Sequence, residues 1–314
     1  MKILPMAALK AAILLGCFAV PICYGRDNAI SNPTSAPTKE SPRLLLKDDF
    51  ERNLPGPNHA IHGWAAAQPE NVWVVPSSPL SNSRSMYFRF PYSAWRDNDI
   101  GRHDTITQSP SKSIIHATMG VPIWAGFSTY LEEWAEDYPS NGELFQQWHG
   151  AVGATSGLGP GGCSAPPVAL YTRGPELTVT TNYSVTGDDR NIRPHRLFAD
   201  KLSRYVGVPT YWVMRVQFDY EMGTIDVWRN GEYIVKYRGP NIYRCAGQTT
   251  EKGPFFNFGI YKWYWGSAPT RVAIRSIYFD DIRIGSSSAT CNDVKPPESP
   301  PCNDNFGREG TKLD

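Results

Sequence analysis

The sequence carries almost no net charge, which limits the partners it can have. Its 31 Lys and Arg residues nearly balance 30 Asp and Glu residues, so the formal charge at pH 7 is +1. A nucleic-acid-binding domain ordinarily presents a broad basic surface, and this composition does not supply one. We therefore expect no nucleic-acid partner, while a local basic groove for an acidic polymer remains compatible with the charge.

Long apolar runs are also scarce, and the one present lies near the start of the chain. Lys10 precedes the run AAILLGCFAV, and the chain becomes polar again at Arg26. This layout is typical of a secretory signal peptide. We predict that residues 1–25 are a signal peptide and that the mature protein is secreted and free of the membrane. The alternative is a lipid-anchored envelope protein, because LLGC ending at Cys17 resembles a bacterial lipoprotein box.

Cysteine is equally sparse. Two of the six cysteines fall within the predicted signal peptide, which leaves Cys163, Cys245, Cys291 and Cys302. Four cysteines allow three pairings, and disulfides suit an exported protein. We predict pairs of Cys163 with Cys245 and of Cys291 with Cys302, since the second pair would staple a Pro-rich tail locally.

Composition places one domain between a disordered linker and an appended tail. Residues 26–43 are rich in Ser and Pro and predict a disordered linker, and residues 286–314 predict a Ser/Pro-rich tail. The domain is then 44–285, a length typical of a single all-β domain. We expect it to be a monomer.

Helical periodicity is nearly absent, and period-two alternation takes its place. In YWVMRVQFDY, the apolar residues Trp212, Met214, Val216 and Phe218 share one face, while Arg215 and Gln217 lie on the other. Asn230-Gly231 between two similar runs is a strong hairpin signal. The one helix-like segment, EEWAEDY, is short enough to be a loop. The pattern predicts an all-β fold, a two-sheet antiparallel β-sandwich of the jelly-roll, concanavalin-like type.

Two of the predicted strands present side chains that could carry chemistry. In ELFQQWHG, alternation groups Phe145, Gln147 and His149 on one face and Leu144, Gln146 and Trp148 on the other. In FFNFGIYKWYW, it groups Asn257, Tyr261 and Trp263 opposite Phe256, Phe258 and Ile260. An amide and an imidazole that project together can bind a carboxylate and move a proton. The alternative is that these side chains decorate a solvated face and that Tyr261 is an ordinary sandwich aromatic.

A third candidate is GRHDT, where alternation sends Arg102 and His103 to opposite faces, so that only one can line a groove. Arg102 is suited to clamp a carboxylate because its guanidinium is planar and permanently charged. His103 is the better proton carrier. A surface ion pair of Arg102 with Asp104 is the alternative.

These segments together resemble a known family. The ordered set GVPIWAGFSTYL, ELFQQWHG, the strands flanking the Asn-Gly turn, FNFGIYK and IYFDDIRIG is similar to the heparin lyase I and glucuronan lyase group of polysaccharide lyases. The resemblance spans nearly the whole domain. It implies a β-jelly roll with a substrate groove across one sheet and an enzyme that cleaves an anionic, uronic-acid-containing polysaccharide by β-elimination.

The resemblance also implies residue roles. His149 matches a histidine of proton transfer, Tyr261 the catalytic tyrosine and Gln147 the amide that neutralises the uronate carboxylate. His103 is the candidate for an upstream histidine of glucuronan-lyase-like members. Which of His149, His103 and Tyr261 is the base stays open. Asn257 stands where a lysine is common, which favours a glucuronan-like over a heparin-like substrate. The full predicted substrate-binding set is Arg102, Asn257, Trp148, Lys262 and Trp263, with Lys262 on the opposite side of its strand.

A catalytic cofactor is not required for this chemistry, but the sequence offers candidate ligands for a structural metal. Asp49 and Asp281, with their neighbours Asp48 and Asp280, are candidate calcium ligands where the first and last strands meet. Solvated acids at strand ends are the alternative.

Two other functions compete with the lyase. A glycoside hydrolase would need two carboxylates facing each other across a groove, and no strand pattern presents such a pair. A non-catalytic, lectin-like module would stack Trp148, Trp263 and Trp265 on sugar rings. That module would leave the grouping of Gln147, His149 and Tyr261 unexplained.

Overall fold

The computed structural model describes residues 43–52, 56–57, 64–66, 71–81, 83–94, 105–108, 115–149, 165–186, 191–244, 253–262, 265 and 269–305. The predicted signal peptide and the predicted linker up to residue 42 lie outside these ranges. All described residues belong to one unit, Ser41–Asp314. No helix within the described ranges is long and apolar enough to cross a membrane.

The described chain is built from β-strands, two 3-10 turns (Tyr92–Ala94 and Leu202–Arg204) and one short α-helix. The strands are β1 (Leu44–Asp48), β2 (Gly56–Pro57), β3 (Trp64–Ala66), β4 (Val72–Val75), β5 (Ser85–Pro91), β6 (Thr105–Gln108), β7 (Ile123–Leu131), β8 (Glu143–His149), β9 (Val168–Arg173), β10 (Glu176–Ser184), β11 (Ile192–Lys201), β12 (Thr210–Gln217), β13 (Thr224–Arg229), β14 (Glu232–Arg238), β15 (Phe255–Tyr261) and β16 (Ile274–Gly285). The helix is α1 (Cys291–Val294). The EEWAEDY segment forms no helix.

The strands form two antiparallel sheets. The nine-stranded sheet has the order β14-β13-β12-β7-β16-β5-β4-β2, and β1 pairs with the last part of β16. The seven-stranded sheet has the order β11-β10-β9-β8-β15-β6-β3. The prediction of an all-β, two-sheet antiparallel sandwich is therefore confirmed.

The main core lies between the two sheets and follows the predicted alternation. Met214, Val216 and Phe218 of the β12 segment are fully buried, whereas Arg215 points away from the core and pairs with Asp226. Burying a side chain of this size contributes about 1.5 to 3 kcal/mol, so strands of this pattern hold the sheets face to face.

The predicted hairpin is also present. β13 and β14 are joined by Asn230 and Gly231 alone, with φ values of 50° and 78°. Two consecutive positive φ values are the geometry of a type I′ turn, which matches the twist of the flanking strands.

The segment after the last strand, Ser286–Asn305, packs on the outer face of the nine-stranded sheet, and we call it the C-terminal strap. Val294 in the strap is fully buried in a second apolar cluster with Trp124 and Trp228. A Cβ atom on Gly126 would lie 1.8 Å from the carbonyl oxygen of Val294, so only glycine permits this close approach. The composition predicted an appended tail, and the structure shows that this part of the tail is packed on the fold.

A disulfide closes the strap. Cys291 and Cys302 are bonded, with their Cα atoms 6.4 Å apart, which confirms the predicted local pair. Beside it, the indole nitrogen of Trp228 donates to the carbonyl of Asn303 at 3.1 Å. The other predicted pair, Cys163 with Cys245, lies outside the described residues.

Candidate functional site

Gln147 and Asn257 lie side by side on the outer face of the seven-stranded sheet. They are direct partners across β8 and β15, while their neighbours Trp148 and Phe256 point into the core. The two residues are 3% and 1% exposed. In the described part of the chain, neither Gln147 Oε1 nor Asn257 Oδ1 has a hydrogen-bond partner. Because a buried polar atom without a partner is unfavourable, each of these two oxygens can accept a hydrogen bond from a ligand, while the amide nitrogens can donate one.

His149 projects from the same face, two residues beyond Gln147 on β8. Its cross-strand partner is Phe255, and the two ring centroids are 5.2 Å apart. The imidazole is partly exposed. Gln147 and His149 thus share a face, as the alternation predicts, and their chemical roles stay predictions.

Phe145 does not share that face, contrary to the simple alternation. The register shifts between Leu144 and Gln146, and Phe145 enters the core, where its ring lies 6.5 Å from that of Trp212. Leu144 takes the outer face in its place, paired with Tyr261. A bulge adds one residue to a strand and so reverses the alternation of side chains on one side of the bulge. No residue type in ELFQQWHG predicts that a bulge forms there.

Tyr261 is the last residue of β15 and lies on the outer face. Its neighbours Ile260 and Lys262 point to the opposite, inner side of the sheet. Leu144 pairs with Tyr261 on one side and with Tyr171 of β9 on the other, so the two tyrosines occupy one row across three strands. Tyr261 is partly exposed.

Tyr171 is not among the predicted site residues, although alternation in VALYTR places it on this face. Burial raises the pKa of Tyr171, and the charge of Tyr261 when ionised raises it further. Hydrogen bonds with Asn182 and Thr180 act in the opposite direction without cancelling the rise. Tyr171 therefore stays a neutral phenol beside Tyr261.

Lys262 is not available to a substrate, and its predicted binding role is wrong because the side chain is buried between the sheets. Its Nζ lies 2.9 Å from Asp137 Oδ2 and 3.2 Å from Glu143 Oε2. Glu143 also accepts two hydrogen bonds from Arg275 of β16, at 2.8 and 2.7 Å. We call these four residues the buried ion network. Its two cations and two carboxylates balance, so it offers no cation to an anionic polymer.

Asp137 shows how tightly this network is held. Burial alone would raise the pKa of Asp137, but the backbone N–H of Arg271 and the side chains of Lys262 and Thr270 hold it well below its usual value. The carboxylate of Asp137 therefore stays charged beside Lys262, the residue that follows Tyr261.

Trp148 is also excluded from the binding surface. It is fully buried in the core, with its ring 5.6 Å from those of Phe218 and Phe256. Its predicted role in stacking on sugar is therefore wrong. Trp265 is fully buried as well, at 5.3 Å from the ring of Phe90.

Three further predicted residues, Arg102, His103 and Trp263, lie outside the described residues, and their roles stay predictions. On the row of His149, the structure adds a histidine that the sequence-based predictions missed. His116 bridges to Phe255 on the side away from His149, with ring centroids 5.5 Å apart. No strand pattern around His116 distinguishes it in the sequence.

The predicted calcium ligands Asp49 and Asp281 already have cationic partners. Asp49 lies 3.3 Å from Lys47, and Asp281 lies 3.6 Å from Arg283. Burial raises the pKa of Asp281, and the charge of Asp49 adds to the rise. The described ranges contain no group of three or more His, Cys, Asp or Glu side chains that could hold a metal ion. These two carboxylates supply few of the oxygen ligands that calcium requires, and the calcium site stays a prediction.

Asp280, next to Asp281, is buried among neutral donors. Its carboxylate accepts hydrogen bonds from Ser81 at 2.9 Å and Ser85 at 3.0 Å. Burial and the neighbouring charge of Asp281 raise the pKa of Asp280 to about 7.

The chain is similar to several solved structures. The endo-β-1,4-glucuronan lyase of the fungus Trichoderma reesei is 16% identical, with a TM-score of 0.56, and the match covers 78% of this chain and 99% of that one. A family 7 alginate lyase in complex with substrate is 12% identical, with a TM-score of 0.47, over 74% and 97% of the two chains. A GH131 β-glucanase catalytic domain from Podospora anserina is 9% identical, with a TM-score of 0.48, over 79% and 97%. At these identities the likeness to the glucuronan lyase shows the sandwich fold alone.

Sequence comparison identifies the family. No curated protein matches the chain. The sequence model of the family described as "Polysaccharide lyase" matches residues 62–283, which include β8 and β15 with Gln147, His149, Asn257 and Tyr261. This match favours the lyase over the glycoside hydrolase and the non-catalytic module. The chain belongs to the polysaccharide lyase family.

Proposed function

We propose that this lyase cleaves a glucuronan-like, uronic-acid-containing polysaccharide by β-elimination, with Gln147, His149, Asn257 and Tyr261 at the reacting sugar. The observation that carries the proposal is that these four side chains project from one face of adjacent strands β8 and β15. β-Elimination needs a group that neutralises the uronate carboxylate, a base and an acid, and this set contains each.

The reaction removes the proton from the carbon beside the carboxylate and breaks the bond between the next carbon and the glycosidic oxygen. The C–H electron pair becomes a carbon–carbon double bond, and the leaving oxygen departs with its bonding pair and takes a proton. The amides of Gln147 and Asn257 donate to the carboxylate and stabilise the enolate that develops there. His149 or Tyr261 takes the proton, and Tyr261 protonates the leaving oxygen.

Two features support a glucuronan-like substrate over a heavily sulfated one. The adjacent groups Gln147 and Asn257 are neutral amides, which suit a single carboxylate better than a cluster of sulfates. Lys262, next to Tyr261, is turned inward and neutralised by Asp137 and Glu143.

Secretion is part of the proposal. The layout of residues 1–25 supports it, and so does the disulfide between Cys291 and Cys302, because such bonds persist in oxidising compartments. Recovery of the protein from culture medium with residues 1–25 removed would be the expected result, and retention in the cytosol with free thiols would contradict it.

The activity is tested by incubating the protein with glucuronan, alginate, heparin and heparan sulfate and following the ultraviolet absorbance of the unsaturated uronate. We expect product from glucuronan. His149→Ala and Tyr261→Phe should each lower kcat by about 10²- to 10⁴-fold, the usual contribution of general acid–base groups.

Matched controls are available on other surfaces. His195 is an exposed histidine of β11, and the Tyr278 hydroxyl hydrogen-bonds to Glu132 on the nine-stranded sheet. His195→Ala and Tyr278→Phe should leave kcat unchanged. Binding of the polymers without any unsaturated product would refute lyase activity on uronans, and a fully active Tyr261→Phe variant would remove Tyr261 from the mechanism.

A further inference from the structure

We infer that His116 is a substrate-binding residue that accepts a hydrogen bond, through Nε2, from a hydroxyl group of a sugar beyond the two that the cleaved bond joins. This inference rests on the proposed function, because it places a sugar chain across the outer face of the seven-stranded sheet.

The position of His116 is fixed by its pairing. It bridges antiparallel to Phe255, and Phe255 is in turn the partner of His149. Cross-strand partners project to the same side of a sheet, so all three rings share the outer face. The next residue, Ala117, lies in the core at 3% exposure, as alternation requires.

The spacing separates the roles of the two histidines. Neighbouring strands lie about 4.8 Å apart, which puts the His116 and His149 backbones about 10 Å from each other. The Phe255 ring stands between the two imidazoles, at 5.5 and 5.2 Å from them. Both histidines therefore cannot act on one proton, and a polymer that crosses the strands at His149 reaches His116 with a different sugar.

The orientation and the neutral tautomer of the His116 ring are set by its backbone contact. Its Nδ1 lies 2.7 Å from the carbonyl oxygen of Gly253. A carbonyl oxygen can only accept, so Nδ1 carries the hydrogen, and in the neutral ring Nε2 is left as an acceptor. No hydrogen bond to Nε2 is present within the described ranges, and the side chain is partly exposed. An oriented acceptor on this face is complementary to a sugar hydroxyl.

Two substitutions separate binding from a purely structural role. In His116→Gln the amide oxygen can occupy the place of Nε2, whereas in His116→Asn the amide can keep the hydrogen bond to Gly253 but does not reach the place of Nε2. We expect His116→Ala and His116→Asn to raise KM for glucuronan by about 2- to 12-fold, the value of one hydrogen bond, with kcat unchanged. His116→Gln should stay near the wild-type KM.

Chain length supplies a second readout. The increase in KM for His116→Ala should appear with long glucuronan chains and disappear with the shortest oligosaccharide that is still cleaved, because that oligosaccharide does not extend to His116. Thermal unfolding of each variant reports whether the loop at Gly253 is still held.

The outcomes distinguish this inference from the proposed function. If the wild type cleaves no uronan, both are overturned. If the wild type cleaves glucuronan and His116→Ala leaves KM unchanged at every chain length, only the role of His116 is overturned. The same conclusion follows if His116→Asn behaves as wild type while His116→Gln is impaired, since His116 would then serve only to hold Gly253.

Discussion

Replacing Glu143 by Gln should destabilise the protein strongly, although the two side chains have nearly the same shape. The carboxylate of Glu143 is 3% exposed and is contacted by two cations that are 0% exposed, Arg275 and Lys262. The variant removes one of the two anions in the buried ion network. Two buried cations then face Asp137 alone.

The magnitude follows from the cost of an uncompensated buried charge. Removing one partner of a buried ion pair ordinarily costs about 3 to 5 kcal/mol of unfolding free energy. For a domain of this size each kcal/mol lowers Tm by about 2 to 4 °C, which gives a decrease of roughly 6 to 20 °C for Glu143→Gln.

A matched control isolates burial from the ion pair itself. Arg196 and Glu176 are also 2.8 Å apart, but their side chains are 49% and 46% exposed. Glu176→Gln is the same chemical change, and for an exposed pair we expect a loss of only about 0.2 to 1 kcal/mol. The double variant Glu143→Gln, Arg275→Met should recover part of the loss, because one of the two cations leaves with the anion.

Urea unfolding under non-reducing conditions, followed by tryptophan fluorescence, measures all three variants. The reasoning is refuted if Glu143→Gln and Glu176→Gln lose the same free energy within the error of the measurement. It is also refuted if the double variant is less stable than Glu143→Gln, since the cost would then arise from lost packing rather than from unpaired charge.

Three further predictions concern the nine-stranded sheet. The pKa of Asp280 is about 7 in the folded protein and near 3.9 when the chain is unfolded, so between these pH values the folded state binds more protons. The stability that the protonated Asp280 contributes is therefore lost as the pH rises from about 4 to 7. Asp280→Asn should therefore be neutral at pH 4 but stabilising at pH 8, by up to about 4 kcal/mol in urea unfolding. Cys302→Ser opens the loop of the C-terminal strap and should cost about 2 to 3 kcal/mol, with a change in the fluorescence of Trp228. Gly126→Ala places a methyl group against Val294 and should increase proteolysis within the strap.

Each of these three predictions would be contradicted by a specific result. An equal effect of Asp280→Asn at both pH values would show that Asp280 does not titrate in this range. Unchanged stability of Cys302→Ser would mean that the packing of Val294 holds the strap without the disulfide. A Gly126→Ala variant that resists protease as well as the wild type would show that β7 and the strap can separate at little cost.

The architecture was predictable because its signals are local. The alternation of Met214, Val216 and Phe218 depends only on the two-residue period of a strand, and Asn230-Gly231 encodes its own turn geometry. The pairing of Cys291 with Cys302 is close in sequence, and the loop it closes is short. Each of these features could be inferred from a few neighbouring residues, and each is present in the structure.

The composition of the site was predictable only in part. Alternation alone placed Gln147 with His149 and Asn257 with Tyr261, and the resemblance to polysaccharide lyases linked the two strands. The direct pairing of Gln147 with Asn257 could not be predicted without the sheet order. The two residues are 110 positions apart in the sequence, and they are in contact only because β8 lies beside β15.

The sequence by itself determined the fold class, the hairpin, the local disulfide and the strand faces, because these follow from backbone periodicity and turn chemistry. Only the tertiary structure decided which neighbours each side chain has. It turned Phe145 inward through a bulge, buried Trp148 in the core, and neutralised Lys262 between Asp137 and Glu143. It also brought His116 to the row of His149. These outcomes depend on the register and packing of strands distant in sequence, where the energy of a buried charge or a cross-strand contact exceeds any local preference.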